Sequence, residues 1–149
     1  FAEHVVKKHY NALVKGHQRA GRETWRDHLA VQRQRGRLRT ATRRGPPNAV
    51  TEVRVSERKA GTPALTLLDL FPRTGRTHQL RVQCASRHLP IVGDATYGDF
   101  AFNRAFKQRT GQDRLYLHSR RVTVELNWQG SDLAFAPESP LPKEFAPKP

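Results

Sequence analysis

Arginines, threonines, a histidine and a glutamine crowd one stretch of the chain, Arg73 to Gly98, reading RTGRTHQLRVQCASRHLPIVGDATYG. Thr74-Gly75-Arg76-Thr77 follows an apolar run, and from His78 the pattern turns helical, with Leu80, Cys84, Ala85 and His88 recurring on one side. A strand-to-helix turn of this composition gathers backbone N–H groups and a guanidinium, a good setting for an anion. Arg81 falls in the first helical turn beside the apolar stripe, where a guanidinium needs a carboxylate or phosphate partner. Cys84, the single cysteine, reads as a small core residue rather than a nucleophile, and it cannot form an internal disulfide. Taken alone, these features describe a phosphate-binding turn.

The elements that must position this turn come from a chain of 149 residues, enough for one domain with a real core. Lys plus Arg number 27 against 13 Asp plus Glu, a formal charge of +14. The excess is largely arginine, whose planar fork suits phosphate, so the balance favours a polyanion, most often nucleic acid, over a merely soluble charged surface. There is no apolar run long enough to span a membrane and no signal-peptide pattern, and one cysteine suits a reducing, cytoplasmic setting. The sequence holds no Met and opens in mid-pattern, which suggests a piece of a longer protein.

Along the chain, residues 4–15 alternate as a strand, with Val6, Lys8, Tyr10, Ala12 and Val14 on one face and Val5, Lys7, His9, Asn11 and Leu13 on the other. By pattern, Tyr10 is a half-buried strand residue. Residues 17–48 are the least hydrophobic third, a basic insertion or loop with Trp25, Leu29 and Val31 as its few anchors. Arg33, Arg35, Arg37 and Arg39 occupy every second position there; if extended they form a comb for a phosphate backbone, and otherwise they belong to a solvated basic loop. Residues 49–56 form a strand, and 64–71 form a second, nearly all apolar and therefore central. Phe102 to Arg109 reads as a short helix stopped by Gly111; separate strands follow around 115–118 and 122–127, then a turn at 128–132 and a last strand at 133–136. The segment 137–149 holds five of the ten prolines and reads as an extended surface tail.

The wording of the organising stretch is far more specific than its chemistry. FPRTGRTHQLRVQCASRHLPIVGDATYG resembles the signature of the RluA-type family of RNA pseudouridine synthases, a TGRTHQ block continued by Ile or Leu and RVH, then a PI-GD-YG block. KKHYNALVKG resembles the tyrosine strand of that family, and RLYLHSRRVTVEL its LHS segment and closing strands. The resemblance implies an α+β fold, a mixed, mainly antiparallel sheet with flanking helices. It implies isomerisation of uridine to pseudouridine in rRNA or tRNA without metal or cofactor, on a nucleotide flipped from its stack. It makes Tyr10 the tyrosine that packs on the flipped base and Arg81 the basic residue that orients a catalytic aspartate. Arg76, His78 and Gln79 become candidate RNA contacts, joined on charge by Lys7, Lys8, Arg33, Arg35, Arg37 and Arg39. Gly93, Asp94, Tyr97 and Gly98 are expected to shape the turn after the helix.

The chain departs from the family pattern in one decisive place. The HRLD-type motif that carries the catalytic aspartate is missing, and Asp69, Asp94, Asp99 and Asp113 occupy other motif positions. Position 83 is Gln where the family often has His. The expectation is therefore the later half of a synthase domain. It would be inactive alone, with sheet edges to be covered by the missing N-terminal half or by another copy. The alternative is a non-catalytic RNA-binding module, or a ribonucleoprotein component that keeps the fold.

Overall fold

A computed structural model describes residues 4–146. Seven strands form one sheet in the order β3-β2-β4-β5-β1-β6-β7, where β1 is His4–Lys15, β2 Arg22–Gln34, β3 Arg37–Arg43, β4 Ala49–Lys59, β5 Leu65–Pro72, β6 Leu117–Trp128 and β7 Ser131–Phe135. Every pairing is antiparallel, so the expected parallel component is absent among the described residues. The helices are α1, Gln79–Ser86, and α2, Phe100–Thr110. No helix among the described residues is long and apolar enough to cross a membrane.

β5 sits in the middle of the sheet, as its unbroken apolar run requires, with Leu68 and Leu70 wholly buried. β1 lies beside it with Tyr10 opposite Leu70 and Ala12 opposite Leu68. The core gathers Ala12, Leu13, Val14, Val53, Leu68 and Leu70 of the sheet with Leu80 and Cys84 of α1. Burial pushes the Cys84 thiol up to about 12, which keeps it protonated and inert. Asp99 caps α2 by accepting from the Phe102 N–H, and Gly111 ends it in the left-handed conformation.

Three expectations change. Residues 17–48 are not a loop: Arg35 and Gly36, both at positive φ, make a two-residue hairpin turn between β2 and β3. Trp25 and Leu29 anchor this hairpin inside the protein, whereas Val31 lies open to solvent. The strands foreseen at 115–118 and 122–127 are one strand, β6, with a register shift opposite His9 and Tyr10 absorbing the irregularity. The proline-rich tail is more than surface coil, because Phe145 is fully buried against Tyr116; its last residues, 147–149, lie outside the described residues.

Gly93 and Gly130 share the same φ of 80° but not the same surroundings. A Cβ on Gly93 would lie 1.7 Å from the Arg114 carbonyl oxygen, while one on Gly130 meets nothing within 4 Å. Gly130→Ala is expected to cost about 1–2 kcal/mol, the backbone strain alone. Gly93→Ala is expected to cost more than about 4 kcal/mol or to prevent folding. Urea denaturation of the two variants checks this, and equal losses would contradict the packing described.

Candidate active site

The turn between β5 and α1 is built by a chain of buried and part-buried hydrogen bonds. The Val50 N–H donates to Thr74 Oγ1 (2.9 Å), and the Thr74 hydroxyl donates to Gln79 Oε1 (2.7 Å). Gln79 Oε1 also accepts the Arg76 N–H (3.1 Å), and its Nε2 donates to Thr51 Oγ1 (2.9 Å). The Thr51 hydroxyl passes to Gln83 Oε1 (2.6 Å), whose Nε2 donates to the Asp27 carboxylate (2.9 Å). Arg87 closes the chain on Asp27 at 2.8 Å and lies over the Trp25 ring. Gln79, Gln83 and Thr51 are all buried, so each donor and acceptor must be matched, and each is. This network fixes where α1 begins, and His78 enters it with a left-handed φ of 53°.

Gln79 is thereby removed from the candidate RNA contacts. It is 4% exposed, and both ends of its amide are used inside the protein. Its part is to hold the turn that displays its neighbours. Gln83, which the sequence marked only as a departure, occupies the matching place one helical turn later.

Arg81 finds its carboxylate within the chain. Nε and Nη2 donate to the two oxygens of Asp94 at 2.9 and 2.8 Å, a bidentate pair in which the Asp94 side chain is only 1% exposed. Asp94 Oδ1 also accepts the N–H groups of Thr96 and Tyr97. Burial pushes the Asp94 carboxyl up, but the Arg81 guanidinium and the two backbone donors outweigh it and hold it below the usual carboxylate range. The Arg81 guanidinium lies over the Tyr97 ring, and its remaining nitrogen, Nη1, is left over from the Asp94 pair.

Tyr97 links three elements. Its hydroxyl accepts the Thr40 N–H of the β3 edge at 3.1 Å and lies 2.8 Å from His78 Nδ1. Which of the two groups donates in that bond is set by the imidazole tautomer. Desolvation, then the charge of Arg81, lowers the His78 pKa and favours the neutral ring, against the opposing charge of Asp94.

The β1 and β5 registers place Tyr10 on the face that α1 covers: Thr51 and Val53 of β4 stand there, Val53 is opposite Leu70, and Leu70 is opposite Tyr10. Lys8 shares that face two residues away, and its Nζ stands 3.6 Å from where a Gly75 Cβ would be. Arg76, exposed, spans back to the Asn48 carbonyl oxygen through Nε. Lys8, Tyr10, Arg76, His78 and Arg81 therefore lie on one side of the sheet. No hydrogen bond joins Tyr10 to Arg81 among the described residues. Lys7 turns to the other face and pairs loosely with Glu125 at 3.8 Å.

The arginine comb does not form. Arg33 ends β2, Arg35 sits in the hairpin turn, and Arg37 and Arg39 begin β3. Arg39 is opposite Gln32 and Arg37 opposite Gln34, so they share a face with the neighbours of Arg33 and not with Arg33 itself. Arg39 further donates to the Thr96 carbonyl oxygen. The hairpin spreads its charge around its tip, and Gly36, at the second position of the turn, was the sequence signal for that shape.

All six aspartates of the sequence are engaged. Asp27 meets Gln83 and Arg87, Asp69 meets His9 and Asn11, and Asp94 meets Arg81. Asp99 meets Lys15, Asp113 meets Lys107, and Asp132 meets Asn127. None stands free beside Tyr10.

Comparison with known proteins decides the family. The family model for RNA pseudouridylate synthase matches residues 1–86. The chain belongs to this family. It is 33% identical over 132 residues to tRNA pseudouridine synthase C of Vibrio cholerae, covering 82% of this chain and 53% of the relative. It is 36% identical over 132 residues to ribosomal large subunit pseudouridine synthase C of Haemophilus ducreyi, covering 83% of this chain and 38% of the relative. The solved structure of human RNA pseudouridylate synthase domain containing 1 superimposes with a TM-score of 0.72 at 26% identity, over 94% of this chain and 57% of that one. The chain thus spans about half the length, or less, of the curated relatives it matches.

Two outcomes follow from the site. Asp94→Asn is expected to destabilise the protein at pH 7 by roughly 2–4 kcal/mol, between the value of charged hydrogen bonds and that of a fully buried pair. Because the folded-state pKa of Asp94 is depressed, the wild-type advantage is full above the ordinary aspartate pKa and fades as pH falls through the lower folded value. Thermal melts of both proteins across acid pH check this. Arg81→Gln is expected to raise the His78 pKa, since it removes a nearby cation and uncovers the Asp94 charge; an NMR titration of the imidazole nitrogens reads it.

Proposed function

We propose that this chain is the tyrosine- and arginine-bearing part of an RNA pseudouridine synthase, an isomerase acting on uridine in structured rRNA or tRNA. The observation that supports it most is geometric: Tyr10 stands on the sheet face covered by the helix that carries Arg81, within a chain that belongs to the family. In this reading the flipped uridine lies against the Tyr10 phenol. Lys8, Arg76 and the His78 imidazole meet its phosphates and those beside it. Arg33, Arg35 and Arg37 grip more distant RNA from the hairpin tip; none of them has an ion-pair partner among the described residues. Arg81, clamped on one edge by Asp94, presents Nη1 to the reacting centre. Pseudouridine formation breaks the C1′–N1 bond and forms C1′–C5, with a proton lost from C5 and one gained at N1, and the family's aspartate initiates it. That carboxylate would come from polypeptide outside this chain, and the compartment that fits the substrate is the cytoplasm.

The engagement of all six aspartates favours a second reading, a non-catalytic RNA-binding module. One experiment separates the two. The 149-residue chain is expected to bind a uridine-bearing stem-loop with strong salt dependence and to form no pseudouridine. The product of the whole open reading frame is expected to form pseudouridine, with kcat lost in its Tyr10→Ala variant. Mass-spectrometric quantification of pseudouridine in tRNA and rRNA transcripts reads both. Conversion by the 149-residue chain, or none by the whole gene product, would overturn the first reading.

A further inference from the structure

The turn that carries Asp94 is held by one side-chain amide of α2. Asn103 Oδ1 accepts the Gly93 N–H at 2.8 Å, and Asn103 Nδ2 donates to the Asp94 carbonyl oxygen at 3.1 Å. A donor on one side and an acceptor on the other permit a single orientation of that amide. Gly98 closes on the same carbonyl: a Cβ there would lie 2.2 Å from the Asp94 oxygen and 3.0 Å from Asn103 Nδ2. The Gly93-Asp94 backbone is thus enclosed by Arg114, Gly98 and Asn103, and Asn103 is the one of the three whose side chain hydrogen-bonds it. Asn103 is itself anchored. Its backbone N–H donates to the Asp99 carbonyl oxygen at 2.9 Å, the Asp99 carboxylate caps α2, and Lys15 pairs with that carboxylate. Lys15 ends β1, the strand that bears Tyr10. One train of contacts therefore runs from the Tyr10 strand through Asp99, Asn103 and Asp94 to the Arg81 guanidinium.

We infer that Asn103 is a positioning residue for Arg81. It fixes the Asp94 backbone, and through the Asp94 carboxylate it sets where the free edge of the guanidinium stands relative to the Tyr10 strand. The inference deepens the function proposed above and rests on it for the chemistry. The Arg81–Asp94 pair is bidentate, so any rotation of the Asp94 backbone carries both carboxylate oxygens, and the whole fork, with it. Without the Asn103 amide, the Gly93 N–H and the Asp94 carbonyl lose their side-chain partner, and the turn gains by rotating towards water. Misplacing an orienting group by about 1 Å costs on the order of a hundredfold in rate.

Two variants test this. Asn103→Leu removes both hydrogen bonds at similar volume; Asn103→Asp keeps an acceptor for the Gly93 N–H but sets an oxygen against the Asp94 carbonyl, and it carries the test if the Leu variant does not fold. In the product of the whole open reading frame, both are expected to lower kcat for pseudouridine formation roughly ten- to a hundredfold, with KM for a uridine-bearing stem-loop within about twofold of wild type. Phe106→Leu, a change at a buried core residue of the same helix, is the stability control: it is expected to lower Tm and to leave kcat unchanged below the transition. In the 149-residue chain, NMR is expected to show the Arg81 Nε–H, which donates to Asp94, exchanging with solvent several-fold faster in the Asn103 variants and unchanged in Phe106→Leu. Wild-type kcat in the Asn103 variants, or wild-type exchange at Arg81, overturns the inference and leaves the proposed function standing. So does a loss that appears in KM alone, or an equal loss of kcat in Phe106→Leu. A whole product that forms no pseudouridine even as wild type overturns the proposed function instead, and the exchange at Arg81 then decides the positioning role by itself.

Discussion

The turn that displays the candidate site depends on a row of buried amide and hydroxyl groups rather than on an oily seam. α1 spans only residues 79–86 and meets the sheet through Gln79, Thr51 and Gln83, with Leu80 and Cys84 as its core contacts. So short a helix has little stability of its own, and its place is set by tertiary contacts. Buried hydrogen bonds have narrow geometry, and an unmatched amide in the interior is costly. The network therefore admits one seating of the helix, where apolar contacts alone would tolerate sliding.

That seating has chemical consequences on the opposite side of the helix. With Gln79 facing inward, His78 and Arg81 must face outward, and Asp94 returns from the following turn to clamp Arg81. Tyr97 then ties the same turn to the edge of β3. The arrangement resembles other orienting pairs, in which a planar cation is held along one edge and exposed along the other. The position of Gly93, pressed against the Arg114 backbone, shows how tightly the turn is packed into the rest of the fold.

The sheet supplies the other half of the surface, and its two ends differ. At the β2-β3 end a helix, a capped edge and a buried tryptophan complete the packing. At the β6-β7 end aromatic and aliphatic side chains lie open on the face that Tyr10 shares.

Much was legible in the residues themselves. Period-two alternation marked β1, β4 and the apolar centre β5, Gly111 marked the end of α2, and the wording of residues 73–98 marked the family, because these are local patterns or ordered motifs. Other features depended on partners distant in sequence. Whether Gln79 faces RNA or the core is decided by Thr51, 28 positions earlier, and Arg81 could have met any anion until the fold brought Asp94 to it. The arginine run looked like a comb because sequence spacing ignores a hairpin turn, and the proline-rich tail looked like surface because one buried phenylalanine leaves no periodic trace. Composition and motif specified the chemistry available to the chain; long-range hydrogen bonds and strand register, which no local window contains, decided which groups could use it.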